Sequence, residues 1–291
     1  MRNKIIIILL SIAFFSCGKI NRESIVDKSK LIGMDYRLFQ NTPAWELAKA
    51  VWDEDIPKIN EIASKDKKII NYQDSVYGET LLMLAVMNQQ YNSFEALIKN
   101  GADINIHDND DGSSALIQAC SFYHNDIRFV KLLLKNGANV NDIEVGKRKE
   151  GNTTRYTPLM AASQSAGKEV VELLIKYGAN VNYRNEYEDA ALSRATMLDK
   201  YEIVLVLLKN GADYNYPIFY RYSEKRYLKL IDVLRETVID MDTKNYKYKM
   251  EVVAFLRSKG IEYNNVPIPE YIKKSIKEDY PNSWKEYLQK Y

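Results

Sequence analysis

The sequence predicts an all-α solenoid: helix-turn-helix units stacked in a row, joined by β-turn loops and closed by helical end caps. Three observations carry this. The stretch 129–141, FVKLLLKNGANVN, places Phe129, Val130 and Leu132 to Leu134 on a broad helical face and ends at Gly137. Glycine can take the left-handed conformation that closes a helix, where a Cβ costs roughly 1–2 kcal/mol. The same unit returns at 93–105 (SFEALIKNGADIN), 170–182 (VVELLIKYGANVN) and 203–215 (IVLVLLKNGADYN), with a worn copy at 252–264 (VVAFLRSKGIEYN). Its turn glycines, Gly101, Gly137, Gly178, Gly211 and Gly260, are 36, 41, 33 and 49 residues apart, a base period of 33 with insertions. Third, a half-unit precedes each full copy, reading GETLLMLA at 78–85, GSSALIQA at 112–119, RYTPLMAA at 155–162 and EDAALSRA at 188–195. Leu82 to Phe94, Leu159 to Val171 and Leu192 to Val204 are each 12 residues apart, and Leu116 to Val130 is 14. Each unit is therefore a short helix, a turn, a longer helix and a Gly-ended loop.

The chain begins with an address. Arg2 and Lys4 precede a run of eleven residues, Ile5 to Phe15, apolar but for Ser11. That is the length of a secretory leader's apolar core and is short for a bilayer span of about 20 residues. The run ends at Ser16-Cys17-Gly18, which resembles a bacterial lipoprotein signal peptide of the looser kind found in Bacteroidetes. Phe14 and Phe15 depart from the usual box and Ser16 fits it. The resemblance implies cleavage before Cys17, a lipid on Cys17, and a periplasm-facing protein anchored to the inner or outer membrane. Several acyl chains at about 0.8 kcal/mol per buried CH₂ make a lasting anchor. Residues 1–16 are thus expected as the leader, and 17–40 as the lipidated Cys and a polar tether.

The units follow over 41–264: an N-terminal cap at 41–76, then 77–106, 107–141, 142–182, 183–215 and a degenerate copy at 216–264. The cap starts at Thr42-Pro43 and carries Trp45, Ala48, Ile56, Ile59 and Ile62. In the last copy Leu228, Ile231, Leu234 and Val238 fall at helical spacing, which predicts a lengthened inner helix over Ile218 to Asp242. Pro267 and Pro269 break the chain, and 265–291 reads as capping helices.

The period, Thr157-Pro158-Leu159, Ala161-Ala162, Gly167 and the Gly-Ala-Asx-Val-Asn ends resemble the ankyrin repeat. The fold this implies is an ankyrin-repeat solenoid. The histidine usual after the first Leu of the family's unit is Met83, Ile117, Met160 and Ser193 here, so these loops are expected to be looser or packed by apolar contact. The family binds proteins along its loop tips and a concave face. The resemblance therefore implies a monomeric, non-catalytic interaction module with an unknown protein partner on that face. Neutralising a toxin or controlling a neighbouring envelope enzyme is the alternative role.

Mapped onto this chain, the loop tips are about 106–113, 142–156 and 183–189. They offer Asp108, Asp110 and Asp111; Lys147, Arg148, Lys149 and Arg155; and Tyr183, Arg184 and Tyr187. Tyr and Arg dominate interface hot spots. Within this scheme Gly137→Val is expected to cost more stability than a change at Gly146, because only Gly137 ends a helix.

Composition excludes other classes. Without Arg2 and Lys4 the chain holds 39 basic and 39 acidic residues, a poor footing for nucleic-acid binding, which needs an excess of cations facing phosphates. Two cysteines, Cys17 and Cys120, make no disulfide framework. The two histidines, His107 and His124, occupy different parts of their unit and suit neither a triad nor zinc. Asp108-Asn109-Asp110-Asp111-Gly112 lacks the spacing and the distal Glu of a calcium loop. No cofactor is expected. Cys120, at a small position of its short helix, reads as a buried inert thiol.

Overall fold

The structure, a computed structural model, describes residues 22–121, 126–146 and 155–290. The leader, Cys17, His124 and Lys147 to Lys149 lie outside the described residues. Helices pair in order: α1 (Trp45–Trp52) with α2 (Ile56–Lys65), α3 (Leu81–Met87) with α4 (Tyr91–Lys99), and α5 (Ala115–Ser121) with α6 (Ile127–Lys135). Then come α7 (Pro158–Ser165) with α8 (Lys168–Lys176) and α9 (Ala191–Met197) with α10 (Tyr201–Lys209). α1, α3, α5, α7 and α9 touch in series, and so do α2, α4, α6, α8 and α10. The all-α solenoid is confirmed.

Sequence explains each hairpin. Thr157 Oγ1 accepts from the Met160 N–H at 3.2 Å with Pro158 at the first helical position, so α7 starts capped. Thr80 does the same for Met83. All seven residues of α3 are buried, because neighbours pack around it on every side. The longer α6 buries only Phe129, Val130, Leu133 and Leu134. Phe94 and Phe129 meet across units with ring centroids 4.8 Å apart. The chain leaves α6 through Gly137 at φ +89°, with Ala138 N–H donating to Leu133 O at 3.0 Å. Gly101, Gly178, Gly211 and Gly260 have φ between +83° and +91°. Met83, Ile117, Met160 and Ser193 are buried, so the positions without the family's histidine are packed, not loose.

An asparagine ladder ties one unit to the next. Asn141 Oδ1 accepts from Asn180 N–H at 2.7 Å while its Nδ2 donates to Gly178 O at 3.1 Å. Asn182 repeats this with Asp213 N–H at 2.9 Å and Gly211 O at 2.9 Å.

Two expectations are corrected. The polar tether does not extend to residue 40. Tyr36, Leu38 and Phe39 are buried, and Leu31 and Met34 pack on the core. Arg22 pairs with Asp53 at 2.5 Å and stands 4.6 Å over the Trp52 ring. The open end of the first hairpin is apolar, and this segment covers it. The lengthened inner helix is also absent. Phe219–Arg221 (β1) and Arg226–Leu228 (β2) form an antiparallel hairpin pairing Tyr220 with Tyr227. A short helix α11 (Leu230–Glu236) follows, and the extra length lies in α12 (Lys244–Ser258), which packs on α10. Alternating aromatic and Arg residues suit a two-residue period better than a helical one. Beyond Pro267 and Pro269, α13 (Glu270–Asp279) and α14 (Trp284–Lys290) share a small core of Ile272, Ile276 and Tyr287. Tyr287 Oη anchors it, accepting from Ile239 N–H at 2.9 Å and donating to Ile239 O at 2.5 Å.

Candidate binding surface

Each unit opens with a loop, and successive loops lie side by side. Asn109 N–H donates to Tyr77 O at 2.7 Å. Val145 N–H donates to Gly112 O at 3.1 Å and Gly146 N–H to Asp111 O at 2.9 Å. The first three tips are therefore joined through main chain. Side chains continue the row. His107 Nε2 contacts Asp142 Oδ1 at 2.9 Å, Arg155 Nε lies 3.7 Å from Glu186, and the Arg184 guanidinium stacks 3.4 Å from the Tyr216 ring centre.

The candidate residues separate on this row. Asp110 and Asp111 are exposed. Asp108 is not: its Oδ1 accepts from Asp110 N–H and Gly112 N–H, both at 2.9 Å, so it shapes the turn. Burial and then Asp111 push its carboxyl up to about 6, against the pull of those backbone donors. Arg155 is half-buried, at φ +38°, donating to Glu144 O at 3.1 Å. Tyr183 packs on the core, Arg184 is half-buried, and Tyr187 is 59% exposed. The structure thus leaves Asp110, Asp111 and Tyr187 most open among the described candidates.

Three features had not been anticipated. Asp74 organises the first tip, accepting from Val76, Tyr77 and Glu79 N–H groups at 2.7–2.9 Å. Beside it Glu79 is buried, with no hydrogen-bond partner for Oε2. Burial and then Asp74, Asp108, Asp110 and Asp111 push its carboxyl up to about 9, so it is neutral at pH 7. Gly33 lies directly over it; a Cβ there would stand 2.9 Å from Glu79 Oε1. The third is the tyrosine-rich hairpin, whose signal was the alternation in FYRY and RYL.

A family model for ankyrin repeats matches three overlapping stretches, residues 47–144, 82–185 and 143–217. The chain belongs to the ankyrin-repeat family. This ankyrin-repeat chain is 33% identical over 155 residues to a putative ankyrin repeat protein of Acanthamoeba polyphaga mimivirus, covering 46% of the chain and 27% of that protein. It is 33% identical over 148 residues to another of Fowlpox virus (48% and 40%). To neurogenic locus notch homolog protein 1 of Mus musculus it is 31% identical over 162 residues (55% and 6%). The chain spans less than half the length of these relatives. It carries a protein–protein interaction module of the ankyrin type.

Cys120 is buried and burial pushes its thiol well up, away from the reactive thiolate. Among the described residues no group of three or more His, Cys, Asp or Glu is placed to hold a metal ion, and no helix is long and apolar enough to cross a membrane.

Proposed function

We propose that this chain is a lipid-anchored, non-catalytic binding protein of the bacterial cell envelope, which holds another protein on its row of loop tips and the concave face beside them. One observation carries the binding role. The first three tips are fixed to one another by main-chain bonds from Tyr77 to Gly146 and present exposed Asp110 and Asp111, and side-chain contacts continue the row to exposed Tyr187. A surface ordered before its partner arrives loses less entropy on binding. The anchor is supported by the basic start, the eleven-residue run and Cys17. Tethering favours an envelope partner over a diffusing one.

Pull-down from envelope extracts tests the surface. Residues 147–154 are replaced by a short Gly-Ser turn, leaving Val145, Gly146 and Arg155 in place. Partner recovery should fall, and undiminished recovery would discard the loop-tip assignment. For the anchor, cells are fed an alkyne-tagged fatty acid. The wild type should take up label and Cys17→Ser should not; an unlabelled wild type rules the anchor out.

A further inference from the structure

The β1–β2 hairpin stands at the C-terminal end of the loop row, and its two faces differ. The alternation places Arg221 and Arg226 on one face, where Glu224, Glu236 and Asp232 neutralise them. Tyr220, Tyr222 and Tyr227 share the other. Tyr220 meets Tyr222 and Tyr227 edge-on, with ring centroids 5.0 and 4.9 Å apart. These rings, with Pro217 and Tyr187, line a groove of about 350 Å³. Glu188 is the one charged residue among those described in its lining. Tyr222 is 84% exposed and Tyr227 60%. Large aromatic surface left open in one place marks an interaction site.

We propose that this groove docks a proline-rich, extended segment of a partner protein, with an Arg or Lys of that segment set against Glu188. The proposal rests on the protein-binding reading above and names the partner's chemistry at one end of the row. An extended proline-rich chain has no internal hydrogen bonds, so its carbonyls are available to tyrosine hydroxyls. Its pyrrolidine rings lie flat on aromatic walls, and it is stiff before binding, which lowers the entropy lost. Among the described lining residues Glu188 carries the one carboxylate; its Oε2 accepts from Tyr216 Oη, and the exposed group keeps its other oxygen for a cation. Other occupants fit worse. An amphipathic helix needs apolar anchors over several turns, and the described lining is one two-stranded hairpin edge with Tyr187 and Glu188. Single-stranded nucleic acid needs cations along the stack, and the lining offers an anion. A sugar's hydroxyls need planar polar side chains, and Glu188 is the only one among the described lining residues.

The test uses the folded chain and a fluorescein-labelled proline-rich peptide carrying one arginine, followed by anisotropy. Two control peptides replace the prolines with alanine, or the arginine with glutamine. Saturable binding of the first peptide is expected, with the all-alanine control at least about tenfold weaker. Tyr222→Ala with Tyr227→Ala, both surface changes that should leave the melting temperature unmoved, should weaken the first peptide at least about tenfold. Glu188→Gln should weaken the arginine peptide and leave the glutamine peptide unchanged. Failure to saturate at millimolar peptide, or binding indifferent to the tyrosine changes, overturns the proposal. So does tyrosine-dependent binding of oligo(dT) or a chito-oligosaccharide in place of the peptide. If the peptide fails while extract partners are still captured through 147–154, the groove's assigned occupant falls and the binding role stands.

Discussion

The two ends of the loop row are built differently. At the N-terminal end three tips are joined backbone to backbone, and they enclose a buried acid, Glu79, in the company of four other carboxylates. At the C-terminal end the tips are joined by side chains, Arg184 on Tyr216 and Tyr216 Oη to Glu188 at 2.5 Å. The C-terminal units also hold a buried base. Lys249 is fully buried, its Nζ donating to Thr237 O at 2.7 Å. Main-chain joins fix spacing and exclude side-chain atoms between the strands of contact; side-chain joins leave the tips free to diversify. Between the ends the buried acids Asp142 and Glu144 are partnered by His107 and by the Tyr156 N–H, and helix packing and the asparagine ladder hold the units together.

The largest effect should come from the backbone joins. A Cβ on Gly146 would overlap the backbone of Asp111 and stand 2.7 Å from Gly112 N. Around Gly137 nothing lies within 4 Å of a Cβ, and only its φ of +89° resists substitution. The ranking expected from helix ends alone is therefore reversed. Gly146→Ala should cost about 3 kcal/mol or more, and Gly137→Ala about 1–2 kcal/mol. Urea unfolding of both variants checks the order. Equal losses would show that the tips can part without cost, and the contrast between the two ends would vanish.

Next in size is a pair of opposed pH dependences. Glu79 titrates at about 9 in the fold against 4.5 ordinarily, so the folded chain binds the extra proton between those values. Stability from this group is full below about 4.5 and declines as pH rises towards 9. Lys249 is pushed down to about 7 from 10.5 by burial, then by Arg235, with Asp199 opposing. Here the unfolded chain binds the extra proton, so stability is lowest below about 7 and rises between 7 and 10.5. Each group contributes a slope of at most about 1.4 kcal/mol per pH unit. Hydrogen exchange read separately in α3 and α12 should show protection falling with pH at the first and rising at the second. Glu79→Gln should flatten only the first trend and Lys249→Met only the second. Identical pH profiles at both ends would contradict the assignment of acid and base to different units.

What was legible follows the same division. The hairpins were readable because helix period and a glycine at each end are local signals, and the units repeat them in phase. The covering segment was missed because Tyr36, Leu38 and Phe39 sit on a single 3₁₀ turn with no period to find; only the open hairpin end beside them shows why they are buried. Leu228, Ile231, Leu234 and Val238 matched a helix, yet only Leu230–Glu236 became one, and the strand alternation upstream prevailed. Asp108 looked like surface charge, but Asp-Asn-Asp-Asp-Gly is turn chemistry, in which the first carboxylate turns inward to the backbone. Glu79 and Lys249 gave no signal at all, since their burial depends on segments distant in sequence.

The smallest effect should lie in the ladder between the two ends. Asn182 is exposed and touches no core residue's side chain through its amide, but that amide receives Asp213 N–H and donates to Gly211 O. Asn182→Ala removes both bonds from solvent-accessible groups, which water can replace, so the loss should be about 1 kcal/mol. Asn182→Asp keeps the acceptor for Asp213 N–H and loses the donor to Gly211 O, placing a carboxylate against a carbonyl; it should cost at least as much as alanine. Because each unit meets only its neighbours, the change should loosen α9 and α10 and the turn that follows them, leaving exchange in α3 and α4 unaltered. Loosening that spread evenly along the array would mean the ends are coupled through the ladder, and the independence on which the opposed pH profiles rely would fail.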